Sequence, residues 1–472
     1  MGSKDNSGKR NIKITLSIEM SFRNFFTEEV ILPFSDKLLG SEIAKHLDFL
    51  MISQKWSREE LDNYQNERLR SLTMHAYLHV PYYNELFKSL KLTPDDIKSK
   101  DDLFKLPILT KKVVKENITN GRLIATNVPK KSRILSSSSG STGEPLQFYT
   151  TKHSESFHKA TAIRAWNWMG YRLGDKYVKI SMNPRSSTLK NIQDYFNNCR
   201  YLSSNQLSSE EFITIGEEIR SFEPKYIRCS PVPLLFLSSF IKNYDGGIGD
   251  SLLAINTTGS TLLNESRMKI ENVFKTKIYD SYSCEGGAIC AECKTSENYH
   301  FAEEYAISEL IEDKYTLADS EHPLRHITTD LHNYVTPFIR YDSQDYVIPG
   351  DYKQCSCGSN FRNIKKIKGR DSDILITPGG KYLIVENFVA YFKWVESVDQ
   401  IQVVQKSLDE IVINLVVNNK YSKKVYQELL SYWKNYIGKE VNLSIEVVDE
   451  IKLTPSGKRR TLIRNPEISI NI

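Results

Sequence analysis

Apolar positions along the chain change their spacing twice. Up to residue 130 they recur at helical intervals: Ser57 with Glu60 reads as a capping box, and Leu61, Leu69, Leu72 and Ala76 mark one face of a helix that should stop before Pro81. Tyr82 and Tyr83 then read as packing residues, and Leu106-Pro107-Ile108-Leu109-Thr110-Lys111 leads into another helix. Residues 1–130 are therefore expected to be the mainly helical N-terminal part of a large domain. From residue 131 short apolar runs alternate with helical stretches. Ile134-Leu135, Leu146 to Tyr149, Tyr177 to Ile180, Tyr226 to Cys229 and Leu252 to Ile255 read as strands. Residues 157–168, 211–219, 233–240 and 265–274 read as helices between or after them, the pattern of a layered α/β domain. Past residue 370, Ile401 to Val404, Ile411 to Val417 and Val441 to Val448 predict strands, and Val425, Leu429, Tyr432 and Tyr436 predict one side of a helix. The expected fold class is α/β, with a core of residues 131–369 in the large domain and a small α+β C-terminal domain at 370–472.

Composition narrows the function classes. In 472 residues, 40% are hydrophobic, enough for large cores, and the net charge of +5 is too small for a dedicated nucleic-acid surface. No run of eighteen apolar residues occurs and the first residues carry no apolar signal core, so the chain reads as cytoplasmic with no transmembrane segment. A homodimer is the commonest symmetric assembly for such a chain.

Polar chemistry gathers where apolar runs end. Ser136 to Pro145 supplies hydroxyls, Gly140 and Gly143, and successive backbone N–H groups, which suit a phosphate cradle; a Ser-rich turn is the plainer alternative. It is not a P-loop, because no Lys-Ser or Lys-Thr follows the last glycine. Thr258-Gly259-Ser260 repeats the theme. Tyr279-Asp280-Ser281-Tyr282-Ser283-Cys284-Glu285-Gly286-Gly287 places an aromatic for stacking and an acid for a metal-bound triphosphate, or else is a tight turn. Asp345 at a strand end could accept from ribose hydroxyls, Arg370 lies on a turn, and Lys458 sits on a basic, Gly-containing loop.

Taken in order, from Val80-Pro81-Tyr82-Tyr83 to Ser456-Gly457-Lys458, these segments resemble the adenylate-forming superfamily, in its phenylacetate–CoA ligase-like branch that includes CapK-type capsular polysaccharide biosynthesis proteins. The resemblance implies an AMP-forming ligase. Ser138, Ser139, Gly140, Ser141, Thr142 and Gly143 would hold ATP phosphates, and Thr258, Gly259, Ser260 and the Tyr282 region would line the adenine site. Glu285 would bind Mg2+, Asp345 the ribose with help from Arg370, and Lys458 would be the adenylation lysine. Two departures stand out: no glycine follows Tyr282, so Tyr279 could take the stacking part, and no lysine follows Pro145. The implied reaction joins a small-molecule carboxylic acid to AMP and then passes the acyl group to a thiol, amine or sugar acceptor, coenzyme A in the ligase members. A capsule enzyme without coenzyme A and a noncatalytic nucleotide-binding protein are the alternatives. The C-terminal domain would swing on a hinge near Arg370 and Asp371.

Two short cysteine pairs, Cys290/Cys293 and Cys355/Cys357, suggest a metal in a reducing compartment. Cys293, His300, Cys355 and Cys357, brought together from two loops, are the expected tetrahedral and structural Zn2+ ligands, with Cys290 the substitute. Unligated thiols and a redox pair are the competing readings.

Overall fold

A computed structural model describes residues 21–137, 146–181, 187–204, 209–241, 248, 250–259, 262, 264–284, 286–312, 322–351, 353–367, 374–379, 382–384, 388, 391–392, 395–452 and 461–465. The N-terminal part is helical, with the long helix Arg58–His79 at its centre. Ser57 and Glu60 close the capping box in both directions, at 3.2 and 2.7 Å, satisfying two N–H groups that helix geometry leaves over. Leu61, Leu69, Leu72 and Ala76 are all buried, and the next helix, Pro81–Ser89, starts on the proline. Tyr83 does more than pack. Its hydroxyl donates to the Pro337 carbonyl at 2.9 Å and accepts from the Ile339 N–H at 3.1 Å, which ties this layer to the segment leading into the strand that carries Asp345.

A hairpin, β1 (Ile134–Ser137) and β2 (Gln147–Thr150), pairs antiparallel with Ser137 opposite Gln147, so the Ser/Gly segment between them leaves from two adjacent strand ends. The helix Lys152–Asn167 follows. The main sheet then runs through β3 (Tyr177–Ser181), β4 (Cys199–Ser203), β5 (Tyr226–Cys229), β6 (Ala254–Thr257) and β7 (Lys277–Ser283), all parallel, in the order 4-3-5-6-7. Helices Ser209–Phe222, Pro231–Ile241 and Asn264–Phe274 supply apolar faces to it: Phe212, Ile215, Leu234, Leu237 and Ile270 pack with Val178, Ile227, Ile255 and Ile278.

At β7 the sheet changes character. It continues antiparallel through β8 (Ile289–Cys293), β9 (Ser296–Phe301), β13 (Asn363–Ile367), β12 (Tyr341–Pro349), β11 (Leu324–Asp330) and β10 (Ala306–Ile311), giving eleven strands in all among the described residues. Cys290, Cys293 and His300, expected in loops, lie instead on β8 and β9.

Beyond this, β14 (Ile374–Ile376) pairs β15 (Tyr382–Ile384), and a separate four-stranded sheet runs β18 (Asn442–Val447), β17 (Glu410–Val417), β16 (Val398–Ser407), β19 (Leu462–Arg464). One core joins these: Leu375, Leu383 and Phe388 pack with Val403, Ile413 and the helix Lys423–Ile437. Of the side expected to face the core, Val425, Leu429 and Tyr436 pack on it and Tyr432 does not. Leu429, Trp433 and Ile437 are buried, while Tyr432 lies at the rim and stacks on Tyr391 at 4.2 Å. A helix presents positions four apart on one side, and the tryptophan, not the tyrosines, sets its centre. Among the described residues no helix is long and apolar enough to cross a membrane. The boundary expected between residues 369 and 370 lies outside the described residues.

Candidate functional site

The carboxyl ends of β5, β6 and β7 and the start of the antiparallel half meet in one place, the position at which open α/β sheets bind ligands. Thr258 follows β6, and its N–H donates to the Cys229 carbonyl at 3.3 Å. Gly259 has φ +92°, with nothing within 4 Å of where a Cβ would stand, so the glycine is required by backbone conformation and not by crowding. Beneath it, Asn256 donates to the Tyr279 carbonyl at 3.0 Å and to Ser281 Oγ at 3.1 Å, while Thr257 bonds the Asp280 carboxyl.

Side chains alternate along β7, so Tyr279 and Tyr282 face opposite sides of the sheet. Tyr279 packs onto the cluster of Trp166, Met169, Tyr171 and Tyr226. Tyr282 turns to the antiparallel half, where its hydroxyl donates to Asp345 Oδ2 at 2.7 Å. Only Tyr282 therefore shares a place with Asp345, and Trp166 and Met169 belong to packing. Burial, with Asp345 beside it, holds the Tyr282 phenol well above its ordinary pKa, so it stays a donor.

Asp345 owes its position to an irregularity. Between Arg325/Ile327 on β11 and their partners Tyr346/Asp342 on β12 the register shifts, and Gln344 has φ +67°. Asp342 is clamped by Arg325 at 3.0 and 2.5 Å, and the Asp345 N–H donates to Ser343 Oγ at 3.2 Å. His326, fully buried below, contacts Tyr282 Oη at 3.3 Å through Nδ1 and Ser308 Oγ at 3.0 Å through Nε2. Burial lowers its pKa to about 4, leaving a neutral ring. His326, Ser343 and the Arg325–Asp342 pair were not singled out from sequence; the register that assembles them joins residues on separate strands.

Gly286 and Gly287, which follow Glu285 in sequence, are pressed against this corner. A Cβ on Gly286 would lie 2.2 Å from Thr328 Cγ2, and one on Gly287, at φ +93°, would lie 2.6 Å from Asp330 Cβ, so both glycines are needed for the close approach. Glu285 itself, Ser138 to Gly143, Ser260, Arg370 and Lys458 lie outside the described residues. Below the turn runs a buried polar network. Asp280 accepts from Tyr299 Oη at 2.8 Å, its N–H donates to Glu292 at 2.9 Å, and Glu292 pairs with Arg267. Burial raises Asp280 to about 6 and Glu292 to about 7.

A second cluster lies at the far end of β8 and β9. Cys293 Sγ is 3.8 Å from Cys355 Sγ, Cys357 Sγ is 3.5 Å from His300 Nε2, and all four donor atoms lie within 4.8 Å of one another. Tetrahedral zinc with bonds of about 2.3 Å to sulfur and about 2.0–2.1 Å to nitrogen sets sulfurs about 3.8 Å apart and sulfur from nitrogen about 3.6 Å apart. The donor set and spacing fit that ion. A hydrogen bond with Cys357 draws Cys293 toward thiolate and pushes Cys357 the other way. Cys290 is not among the four: it is fully buried in an apolar cluster with Phe301, Val347 and Ile364. Trp168 meets the His300 ring edge-on at 5.8 Å, so it backs this cluster.

Comparison with known proteins agrees with this architecture. Residues 375–465 match the CapK C-terminal domain. Protein CapK of Staphylococcus aureus is 25% identical over 423 residues, covering 86% of this chain and 90% of that protein. Phenylacetate-coenzyme A ligase of Pseudomonas putida is 25% identical over 419 residues, covering 84% and 92%. Among solved structures, 2-hydroxyisobutyryl-CoA ligase in complex with 2-HIB-AMP and CoA in the thioesterification state aligns with TM-score 0.59 at 16% identity, over 87% of this chain and 91% of that one. The resemblance to the CapK and phenylacetate–CoA ligase-like proteins is thereby borne out, as is the expected fold, a large α/β domain with a small C-terminal domain. The expected class, an AMP-forming ligase, is that of the phenylacetate-coenzyme A ligase relatives.

Proposed function

We propose that the protein activates a small carboxylic acid with ATP and transfers the acyl group to the thiol of coenzyme A. The observation that carries this reading is similarity over most of the chain to CapK and phenylacetate-coenzyme A ligase, joined to a corner in which Asp345 stands at a strand irregularity beside Tyr282. In the first step a carboxylate oxygen bonds to the α-phosphorus and the bond to pyrophosphate breaks. In the second the sulfur attacks the acyl carbonyl and AMP leaves with its oxygen. Both steps depend on positioning and charge neutralisation more than on a side-chain nucleophile. Asp345 accepts from the ribose hydroxyls, Thr258 and Gly259 wall the adenine, and Ser138 to Gly143 donate to the phosphates. Glu285 would hold magnesium, which would supply charge neutralisation on the phosphates. Lys458, on a C-terminal domain that turns about residues near Arg370, serves adenylation and withdraws before thioester formation.

The test is acid-dependent pyrophosphate release across a panel of aromatic, aliphatic and amino acids, followed by AMP formation with coenzyme A or with amines and sugars. Thiol-dependent AMP release supports the reading. Release with an amine or sugar alone would move the protein to the capsule-type alternative, and no acid-dependent release by folded protein would overturn catalysis. We further propose that Cys293, His300, Cys355 and Cys357 hold a structural zinc, with no open position for substrate. Cys355→Ser should lose the metal and lower Tm. Elemental analysis finding no stoichiometric zinc in the parent protein would sink the assignment.

A further inference from the structure

Away from the nucleotide corner and the cysteine cluster, one other group of metal-ligating side chains is assembled among the described residues: Glu42, His46 and His153. Glu42 is the N-cap of the helix Ile43–Ser53, so its carboxylate stands over the first turn and meets His46 one turn on. His153 lies in the first turn of Lys152–Asn167, which packs along that helix. The junction is fixed by backbone. The Glu42 N–H donates to Ser156 Oγ at 3.1 Å, and Ser156 Oγ donates to the Lys152 carbonyl at 2.6 Å.

Glu42 Oε2 is 2.8 Å from His153 Nδ1 and 3.7 Å from His46 Nε2, and the three donor atoms lie within 4.8 Å of one another. Metal bonds of about 2.0–2.1 Å would set neighbouring donors about 3–3.5 Å apart, so small side-chain rotations close the set on one ion. An independent observation points the same way. His46 is only 7% exposed, and its Nε2, aimed at the carboxylate but beyond hydrogen-bonding distance, has no partner among the described residues. An unsatisfied buried ring nitrogen is costly, and a coordinated ion would satisfy it.

Charge decides which ion. Lys45 Nζ sits 3.0 Å from Glu42 Oε1, and the positive ends of two helices face the site. One carboxylate cannot hold a hard cation such as Ca2+ or Mg2+ against that field, since those ions take mostly oxygen donors. A borderline ion gains from two imidazoles regardless. We propose that Glu42, His46 and His153 bind a divalent transition-metal ion of the Zn2+, Co2+ or Ni2+ type, at a site separate from the cysteine cluster. Glu42 and His153 are both partly exposed, so water completes the coordination. The ion bridges the helix Ile43–Ser53 to the one that directly follows β2, fastening the N-terminal layer to the β1–β2 hairpin.

The experiment is equilibrium dialysis of the full chain against cobalt(II), read by metal content and visible absorption, for the parent, His153→Ala, Glu42→Gln and Cys355→Ser. The parent should take up a cobalt that lacks a thiolate charge-transfer band. His153→Ala, at a half-exposed position that threatens no core, should bind that cobalt roughly tenfold or more weakly. Glu42→Gln should do the same, and Cys355→Ser should leave it unchanged. Absence of band-free cobalt in the parent, or cobalt affinity as high as the parent's in His153→Ala and Glu42→Gln, would overturn the proposal whatever the cysteine cluster or the ligase assays show.

Discussion

Strands β3, β5, β6 and β7 bury Val178, Ile227, Ile255 and Ile278 against aliphatic helix faces, whereas β8 to β12 and their connections bury Glu292, His300, Glu304, His326, Asp330 and Asp342. One sheet thus has a mainly apolar half, whose buried Asn256, Thr257 and Asp280 gather on β6 and β7, and a more polar half that also holds the Cys290, Phe301, Val347 and Ile364 cluster, and the two meet at β7. An apolar strand is held by area removed from water, and many side chains of similar size serve equally well. A buried polar group must instead find a particular partner, so the antiparallel half is specified bond by bond. The candidate nucleotide corner lies along the seam, where the parallel half supplies strand ends and the antiparallel half supplies groups of fixed direction.

Breaking a charge in the polar half should cost most. Arg164 and Glu304 are both fully buried, bonded at 3.1 and 3.2 Å, with Ser53 Oγ donating to Glu304 at 2.6 Å. Removing one partner strands the other in low dielectric. Glu304→Ala should destabilise by about 3–5 kcal/mol, read by urea denaturation. A loss no larger than that of a surface substitution would show the pair to be dispensable.

The matching break in the apolar half is Ile227→Ala on β5, fully buried. Its cost should be about 2–4 kcal/mol, from lost transfer and the residual cavity. ATP affinity of the folded variant should be unchanged. A change in nucleotide binding as large as the stability change would mean the halves are coupled more tightly than their separate cores suggest.

These halves also differ in how far they could be read in advance. Tyr177 to Ile180, Tyr226 to Cys229 and Leu252 to Ile255 stand out as apolar runs between periodic helices, and β3, β5 and β6 lie there. The antiparallel strands β9 and β11 carry His300, His326, Thr328, Thr329 and Asp330 inside, so their polar residues break the alternation that would have revealed them. Residue types did point to Asp345 and to Cys293, His300, Cys355 and Cys357, because few chemistries use them in such company. Pairings did not follow. That Tyr282 and not Tyr279 meets Asp345 depends on strand alternation, and His326 arrives only through the β11–β12 register. Likewise Cys290 and Cys293 are three apart on β8 and so face opposite sides, one into an apolar cluster and one to the other thiols.

At the seam, Asp345→Ala separates recognition from stability. Asp345 is half-buried and bonded to Tyr282 and Ser343, so the fold should lose little. A carboxylate that accepts from a ribose makes bonds worth about 1.5–3 kcal/mol. Nucleotide titration should therefore show ATP binding weakened by that amount in a protein that still unfolds near the parent's midpoint. Unchanged affinity would remove Asp345 from the site.

The smallest effect should come from Tyr282→Phe, which deletes one hydroxyl and keeps the ring. That hydroxyl reaches Asp345 Oδ2 at 2.7 Å and His326 Nδ1 at 3.3 Å, so it links the end of β7 to the irregularity on β12. If its work is to aim the carboxylate, losing it should weaken ATP by about 1 kcal/mol, less than losing Asp345 itself. The double variant Tyr282→Phe/Asp345→Ala should then be no worse than Asp345→Ala alone, because the hydroxyl acts through the carboxylate. Additive losses would instead give Tyr282 a contact of its own with the nucleotide. The ring distinguishes a further case: if stacking on Tyr282 holds the adenine, Tyr282→Leu should lose considerably more than Tyr282→Phe. Equal, small losses in both would leave the seam with a positioning tyrosine and no aromatic platform on this side of β7.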